Sequence, residues 1–164
     1  MKKQYMARLI TALATFTITL LTTHYTMAQS TGASAAPSSR PHFSHQTIYV
    51  TDLQKASDFY EKVMQLEKIA EPFKDNRHTW FKISEHGQLH VVSGAKAMIP
   101  HDINIHLAFS VPSLEAFMKH LDELHIKYGD WTGNGKPQAR PDKVLQVYLQ
   151  DPDGYWIEVN NDSF

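Results

Sequence analysis

Two stretches of this chain carry one alternation of apolar and polar side chains in the same order. His45-Gln-Thr-Ile48-Tyr-Val50-Thr-Asp-Leu53 lies over His106-Leu-Ala-Phe109-Ser-Val111-Pro-Ser-Leu114 without a gap, and Leu89-His90-Val91-Val92 lies over Ile157-Glu158-Val159-Asn160. Side chains alternate between the faces of a strand, so Ile48, Val50, Leu89 and Val91, with Phe109, Val111, Ile157 and Val159, mark one apolar face. His45, His90, His106 and Glu158 fall on the opposite face. Three imidazoles and a carboxylate at repeat-related places are the composition of a first-row transition-metal site.

The same patterning predicts the elements around those positions. Phe43 to Val50 reads as a strand. Asp52 is placed to cap a helix whose Leu53, Ala56, Phe59, Tyr60 and Val63 recur at helical spacing. Leu66 to Phe73, Thr79 to Ser84 and Leu89 to Ser93 read as strands, the last two joined by a hairpin at His86-Gly87. Ala95 to Asp102, with Pro100, connects the copies. In the second copy Ile103 to Val111 is a strand, and Ser113 caps a helix striped by Leu114, Phe117, Leu121 and Leu124. Ile126 to Trp131 is a weak strand and Thr132 to Asp142 a polar loop. Val144 to Gln150 and Tyr155 to Asn160 are strong strands joined by Asp151-Pro152-Asp153-Gly154, a tetrapeptide with the chemistry of a tight turn. The expected fold class is α+β, with paired βαβββ modules forming a curved, roughly eight-stranded sheet. Two helices cover one face, and the other is a concavity bearing the four donors.

The first 28 residues stand outside that pattern. Lys2, Lys3 and Arg8 precede an apolar run from Leu9 to Leu21, and Thr26-Met27-Ala28 offers a small-x-small cleavage site, the signature of a secretory signal peptide. The run is shorter than the roughly 20 residues a bilayer core requires. Residues 29–42, rich in Ser, Thr, Gly, Ala and Pro, read as a disordered leader. A single domain follows over 43–164, with modules at about 43–98 and 99–164, and the expected destination is periplasmic or extracellular. Removing the signal takes three of the 16 basic residues and none of the 17 acids, leaving 13 against 17, a net of minus 4. A mildly acidic product without a basic cluster excludes nucleic acid as a natural partner. There are no cysteines, so neither a disulfide nor a thiol nucleophile is available.

These residues resemble the vicinal oxygen chelate superfamily, which includes glyoxalase I, methylmalonyl-CoA epimerase, bleomycin and fosfomycin resistance proteins and extradiol dioxygenases. The likeness is carried by His45 ahead of Asp52-Leu53, by Phe59-Tyr60 and by Ile105-His106-Leu107-Ala108-Phe109. It is carried further by Asp151-Pro152-Asp153-Gly154-Tyr155-Trp156-Ile157-Glu158, and it spans 43–160. The resemblance implies a divalent metal, one of Zn, Ni, Mn or Fe, at the positions of His45, His106 and Glu158. It also implies a small substrate that chelates through neighbouring oxygens, with glyoxalase-type lyase or isomerase chemistry. His90 stands where glyoxalase I has Glu and the epimerase Gln, and it is either a fourth ligand or a donor behind the ligands that leaves a position open. Glu158 is then the only base among the four. The alternatives are an iron(II) ring-cleaving dioxygenase using His45, His106 and Glu158, and a binder of an antibiotic or metabolite without catalysis. Tyr49 and Trp156 share the donor face by parity and are expected to touch substrate; Arg140 is expected to grip a carboxylate or phosphate. Trp80 and Tyr148 are strand aromatics that suit either core or pocket. Relatives often pair, so a homodimer is expected.

Overall fold

The computed structural model describes residues 39–163. The chain divides at Pro41/His42 into two units. The signal peptide and most of the leader expected at 1–42 lie outside the described residues. Among those described, no helix is long and apolar enough to cross a membrane.

From His42 onward two modules repeat. The first runs β1 (His45–Val50), α1 (Leu53–Asp58) continued by a π-helical turn (Phe59–Val63), β2 (Glu67–Ile69), β3 (His78–Lys82) and β4 (Gln88–Ser93). The second runs β5 (His106–Ser110), α2 (Leu114–Glu123), β6 (Gln138–Ala139), β7 (Leu145–Gln150) and β8 (Trp156–Asn160). The eight strands form two four-stranded sheets of matching order, β1-β4-β3-β2 and β5-β8-β7-β6. In each, the first and last strands of the module pair in parallel and the others antiparallel. The apolar face read from the alternation is the core: Ile48, Val50, Leu89, Val91, Ile157 and Val159 are buried, with Phe109 and Val111 packed against them. Each such side chain contributes about 1.5–3 kcal/mol relative to an exposed one. Both helices begin where their caps stand: Asp52 accepts from the Lys55 N–H at 3.0 Å and Ser113 from the Ala116 N–H at 3.2 Å.

The expected elements differ in three places, each for a local reason. The strand expected over Leu66 to Phe73 stops at Ile69, because the Glu71 carboxylate accepts from the Phe73 and Lys74 amides and Lys74 and Asn76 take positive φ. Of the weak strand over Ile126 to Trp131, only Gly129 pairs, exchanging both backbone bonds with Tyr148. The edge strand of the second sheet, β6, instead forms at Gln138–Ala139, inside the expected loop.

The turn at Asp151-Pro152-Asp153-Gly154 does more than reverse the chain. Asp153 accepts from the Thr51 N–H at 2.7 Å, and the Tyr155 hydroxyl accepts from Tyr49 N–H at 3.1 Å while donating to Tyr49 C=O at 3.2 Å. Asp151, behind them, accepts from the Tyr60 hydroxyl at 3.0 Å and from the amides of Asp153 and Tyr155, both at 2.9 Å. Side chains of the second module thus satisfy the edge of β1 that β4 does not use. Here the two sheets are joined by a clasp, where pairing would continue a single sheet.

Candidate functional site

Glu158 projects from β8 into a polar group built by its neighbours in register. It is only 6% exposed. Tyr148, opposite it on β7, donates its hydroxyl to one carboxylate oxygen at 2.8 Å, and the Asn160 amide donates to the other at 2.7 Å. The Tyr148 hydroxyl in turn accepts from the Gln146 amide at 2.7 Å. Every donor in this chain points toward the carboxyl group, which fixes its rotation. Burial, with the adjacent Glu158 carboxylate, pushes the Tyr148 phenol well above its ordinary value, so it remains a donor. Gln146 is 3% exposed, and its carbonyl oxygen has no partner. Removing the hydroxyl in Tyr148→Phe leaves the amide end of Gln146 unpartnered as well. We expect a loss of about 1–3 kcal/mol in urea unfolding of the metal-free protein, and divalent-metal affinity lower by about 10–100-fold. An unchanged affinity would remove Tyr148 from the site.

His106 completes this cluster. Its Nδ1 lies 2.7 Å from the Ile103 carbonyl, which can only accept, so Nδ1 carries a proton, and in the neutral form that metal binding requires Nε2 presents a bare lone pair. That Nε2 faces Glu158 Oε2 at 3.4 Å. In that neutral form two acceptors face each other across the gap, an arrangement a cation between them would satisfy. The Tyr148 ring meets the imidazole edge to face, 5.5 Å between centroids.

The first module brings together the other two donors. His45 and His90 stack with ring centroids 4.2 Å apart and planes 11° from parallel, and the far face of His90 lies on Trp80 at 3.8 Å and 3°. Gln88 Oε1 accepts from His90 Nε2 at 2.9 Å, which leaves Nδ1 bare. Ser44 Oγ engages His45 Nδ1 at 2.7 Å, which leaves Nε2. Desolvation, and next the neighbouring His45 and His78, lower the pKa of His90 below its ordinary 6.5. Each of the three imidazoles thus has one nitrogen engaged and one available, the arrangement of metal-binding histidines.

The four donors stand as two pairs, one per module. Among the described residues no group of three or more His, Asp or Glu side chains gathers closely enough to hold a cation. Trp156 lies across from His106 in register and shares with it a cleft of about 130 Å³, its indole N–H donating to the His101 carbonyl at 3.0 Å. Tyr49, 49% exposed, lines a different cleft of about 170 Å³ with Met98, Ile99 and Tyr155, whose walls include none of the four donors. The Arg140 guanidinium is held by Asp142 and, at 3.4 Å, by Asp162. Gln146 and Asn160 are site residues that reading along the chain does not single out, and Tyr148 it leaves between core and pocket. They share strand parity with Glu158, and that parity is the signal that could have marked them.

Repeated βαβββ modules, the first offering two imidazoles and the second an imidazole and a carboxylate from their first and last strands, define a duplicated α+β fold. The model of the Glyoxalase/Bleomycin resistance protein/Dioxygenase superfamily matches residues 42–159, and the chain belongs to that superfamily. A glyoxalase/dioxygenase from Nostoc punctiforme shares the fold at TM-score 0.63 and 22% identity, over 82% of this chain and 100% of that one. A fosfomycin resistance protein from Listeria monocytogenes aligns at TM-score 0.60 and 19% identity over 76% and 96%. A lactoylglutathione lyase from Agrobacterium tumefaciens aligns at 0.56 and 19% over 74% and 93%.

Proposed function

We propose that this protein is an exported, metal-dependent enzyme acting on a small substrate through two neighbouring oxygens, with lyase or isomerase chemistry of the glyoxalase type. The observation that carries the reading is the His106–Glu158 pair. Its 3.4 Å separation exceeds the roughly 2.7–2.9 Å of a charge-assisted hydrogen bond. It matches the separation of about 3.4 Å between two ligands each about 2.1 Å from one tetrahedral cation. The donor set suits Zn, Ni, Mn or Fe, and a divalent ion held there supplies Lewis-acid polarisation of substrate oxygens. The protein's own part is to hold and to exclude. Tyr148 and Asn160 fix both oxygens of Glu158, the only carboxylate among the four donors and so their only candidate carboxylate base. Arg140, neutralised by two aspartates, supports a substrate without a phosphonate or phosphate group.

Three protein donors are the minimum of a catalytic zinc-type site, and among the described residues no three gather within one chain. We therefore place the complete site between two copies of the chain, the His45 half of one facing the His106–Glu158 half of the other. The function is tested by titrating metal-free protein with Co2+ and then with acetohydroxamate, a small two-oxygen chelator. Stoichiometric Co2+ uptake and a chelator-dependent change in its visible spectrum are expected. Binding of neither would overturn the metal-dependent reading. The donors His45, His106 and Glu158 also have the composition of the iron(II) oxygenase triad. Oxygen uptake by the iron-loaded protein with catechols would move the assignment to a dioxygenase.

A further inference from the structure

The stack on the first module carries an inference that rests on the metal-dependent reading and refines it. Trp80, His90 and His45 come from β3, β4 and β1, three adjacent strands, and their rings form a column with interplanar angles of 3° and 11°. Phe73 extends it by meeting Trp80 edge to face at 6.1 Å. An imidazole binds a metal along its nitrogen lone pair, in the plane of its ring. Two near-parallel rings lying face to face cannot both direct such lone pairs at one ion, because an ion in the plane of one stands several ångströms out of the plane of the other. At most one of His45 and His90 is therefore a ligand while the column stands.

The surroundings decide which. His90 has both faces covered, one by indole and one by imidazole, and its Nε2 is tied to Gln88. Turning its free nitrogen toward an ion near His45 would break the indole contact. His45 stands at the end of the column, exposed, with Nε2 unengaged. We propose that His90 is a positioning residue: stacked on Trp80, it sets the plane of His45 and so aims the lone pair of His45, while His45, His106 and Glu158 alone bind the ion. The coordination sphere then keeps positions for both substrate oxygens, which a fourth protein ligand would diminish.

The test uses Co2+ alone with the full chain. His90→Phe keeps a flat ring in the column but no nitrogen; it should bind Co2+ within about 3-fold of wild type, with the same visible spectrum. His90→Ala and Trp80→Leu, which break the column on either side, should each weaken binding by about 10–100-fold. Rescue of the Ala variant by Phe is the signature of positioning. His90→Phe falling as far as His45→Ala, or shifting the spectrum as loss of a nitrogen ligand does, would make His90 a ligand and overturn the proposal. Unchanged affinity in both His90→Ala and Trp80→Leu would overturn it as well. The column is read independently in metal-free protein, where the ring protons of His90 should be shifted upfield and Trp80→Leu should abolish the shift. Absence of that shift sinks the proposal while leaving the metal reading intact. Failure of wild type to take up Co2+ sinks both.

Discussion

His45→Ala and His106→Ala should each bind a divalent ion about 10²–10³-fold more weakly than wild type, yet the two variants together should recover tight binding. In a mixed dimer one site loses both imidazoles and the other keeps a full set, so up to one native site per mixed dimer is expected. The loss in each single variant follows from the share one ligand holds. Structural zinc held by four protein ligands is bound with about 10–16 kcal/mol, so one ligand holds about 3–4 kcal/mol, about 10²–10³-fold in affinity. Equilibrium dialysis of Zn2+ against co-expressed variants, with light scattering for mass, reads both quantities. Recovery is possible only if the two halves of a site come from different chains. A mixture that binds no better than either parent, beside a wild type that binds stoichiometrically, would put all the ligands on one chain. In that case the modules would have to move together on loading.

Asp151→Ala is expected to cost on the order of 3–5 kcal/mol, a large part of the 5–15 kcal/mol typical of a domain of this size. The carboxylate accepts three hydrogen bonds, from the Tyr60 hydroxyl and from the Asp153 and Tyr155 amides. Alanine leaves all three donors without a partner in a buried place. Asp151→Asn should cost far less, since its carbonyl oxygen still accepts from the two amides and its amide can donate to the Tyr60 oxygen. The comparison also has a pH signature. Burial raises the Asp151 carboxyl above its ordinary value despite those hydrogen bonds. A raised folded-state pKa means that the side chain favours the fold fully below its unfolded pKa of about 3.9 and that this contribution is lost as pH rises through the folded value. Asparagine has no such titration. Urea unfolding at acid and at neutral pH should therefore show Asp151→Asn gaining on wild type as pH increases. A difference between the two that is flat with pH would mean that Asp151 titrates as it does in the unfolded chain.

The two results bear on one another through the clasp. Asp151 anchors the turn whose Asp153 and Tyr155 hold the free edge of β1, and β1 begins with His45. Tyr155 immediately precedes β8, next to Trp156 and three residues before Glu158. The turn thus ties together, within one chain, the strands that bear its two half-sites, and it does so with side chains whose partners are about 100 residues away in sequence.

Much of this was legible along the chain because strand parity and helix capping are local. A residue's face is decided by counting in twos from its neighbours. This is why Ile48, Val50, Leu89, Val91, Ile157 and Val159 could be assigned to the core and His45, His90, His106 and Glu158 to the opposite face. Asp52 and Ser113 reach amides only three residues away, so their role is also written nearby. What the tertiary structure alone decided are relations across strands and between modules. Parity assigns His45 and His90 to one face and cannot say whether their rings converge on an ion or stack. The stagger of β1 against β4, and the flat support of Trp80 on β3, settle that they stack. The partner of Tyr148 is found only once β7 is laid against β8 in register. The turn at Asp151-Pro152-Asp153-Gly154 announces its backbone conformation in its residue types, whereas its grip on β1 depends on bringing the second module against the free edge of the first. Face and cap depend on bonds within a few residues; distance, angle and partner depend on how separate strands come to lie together in space.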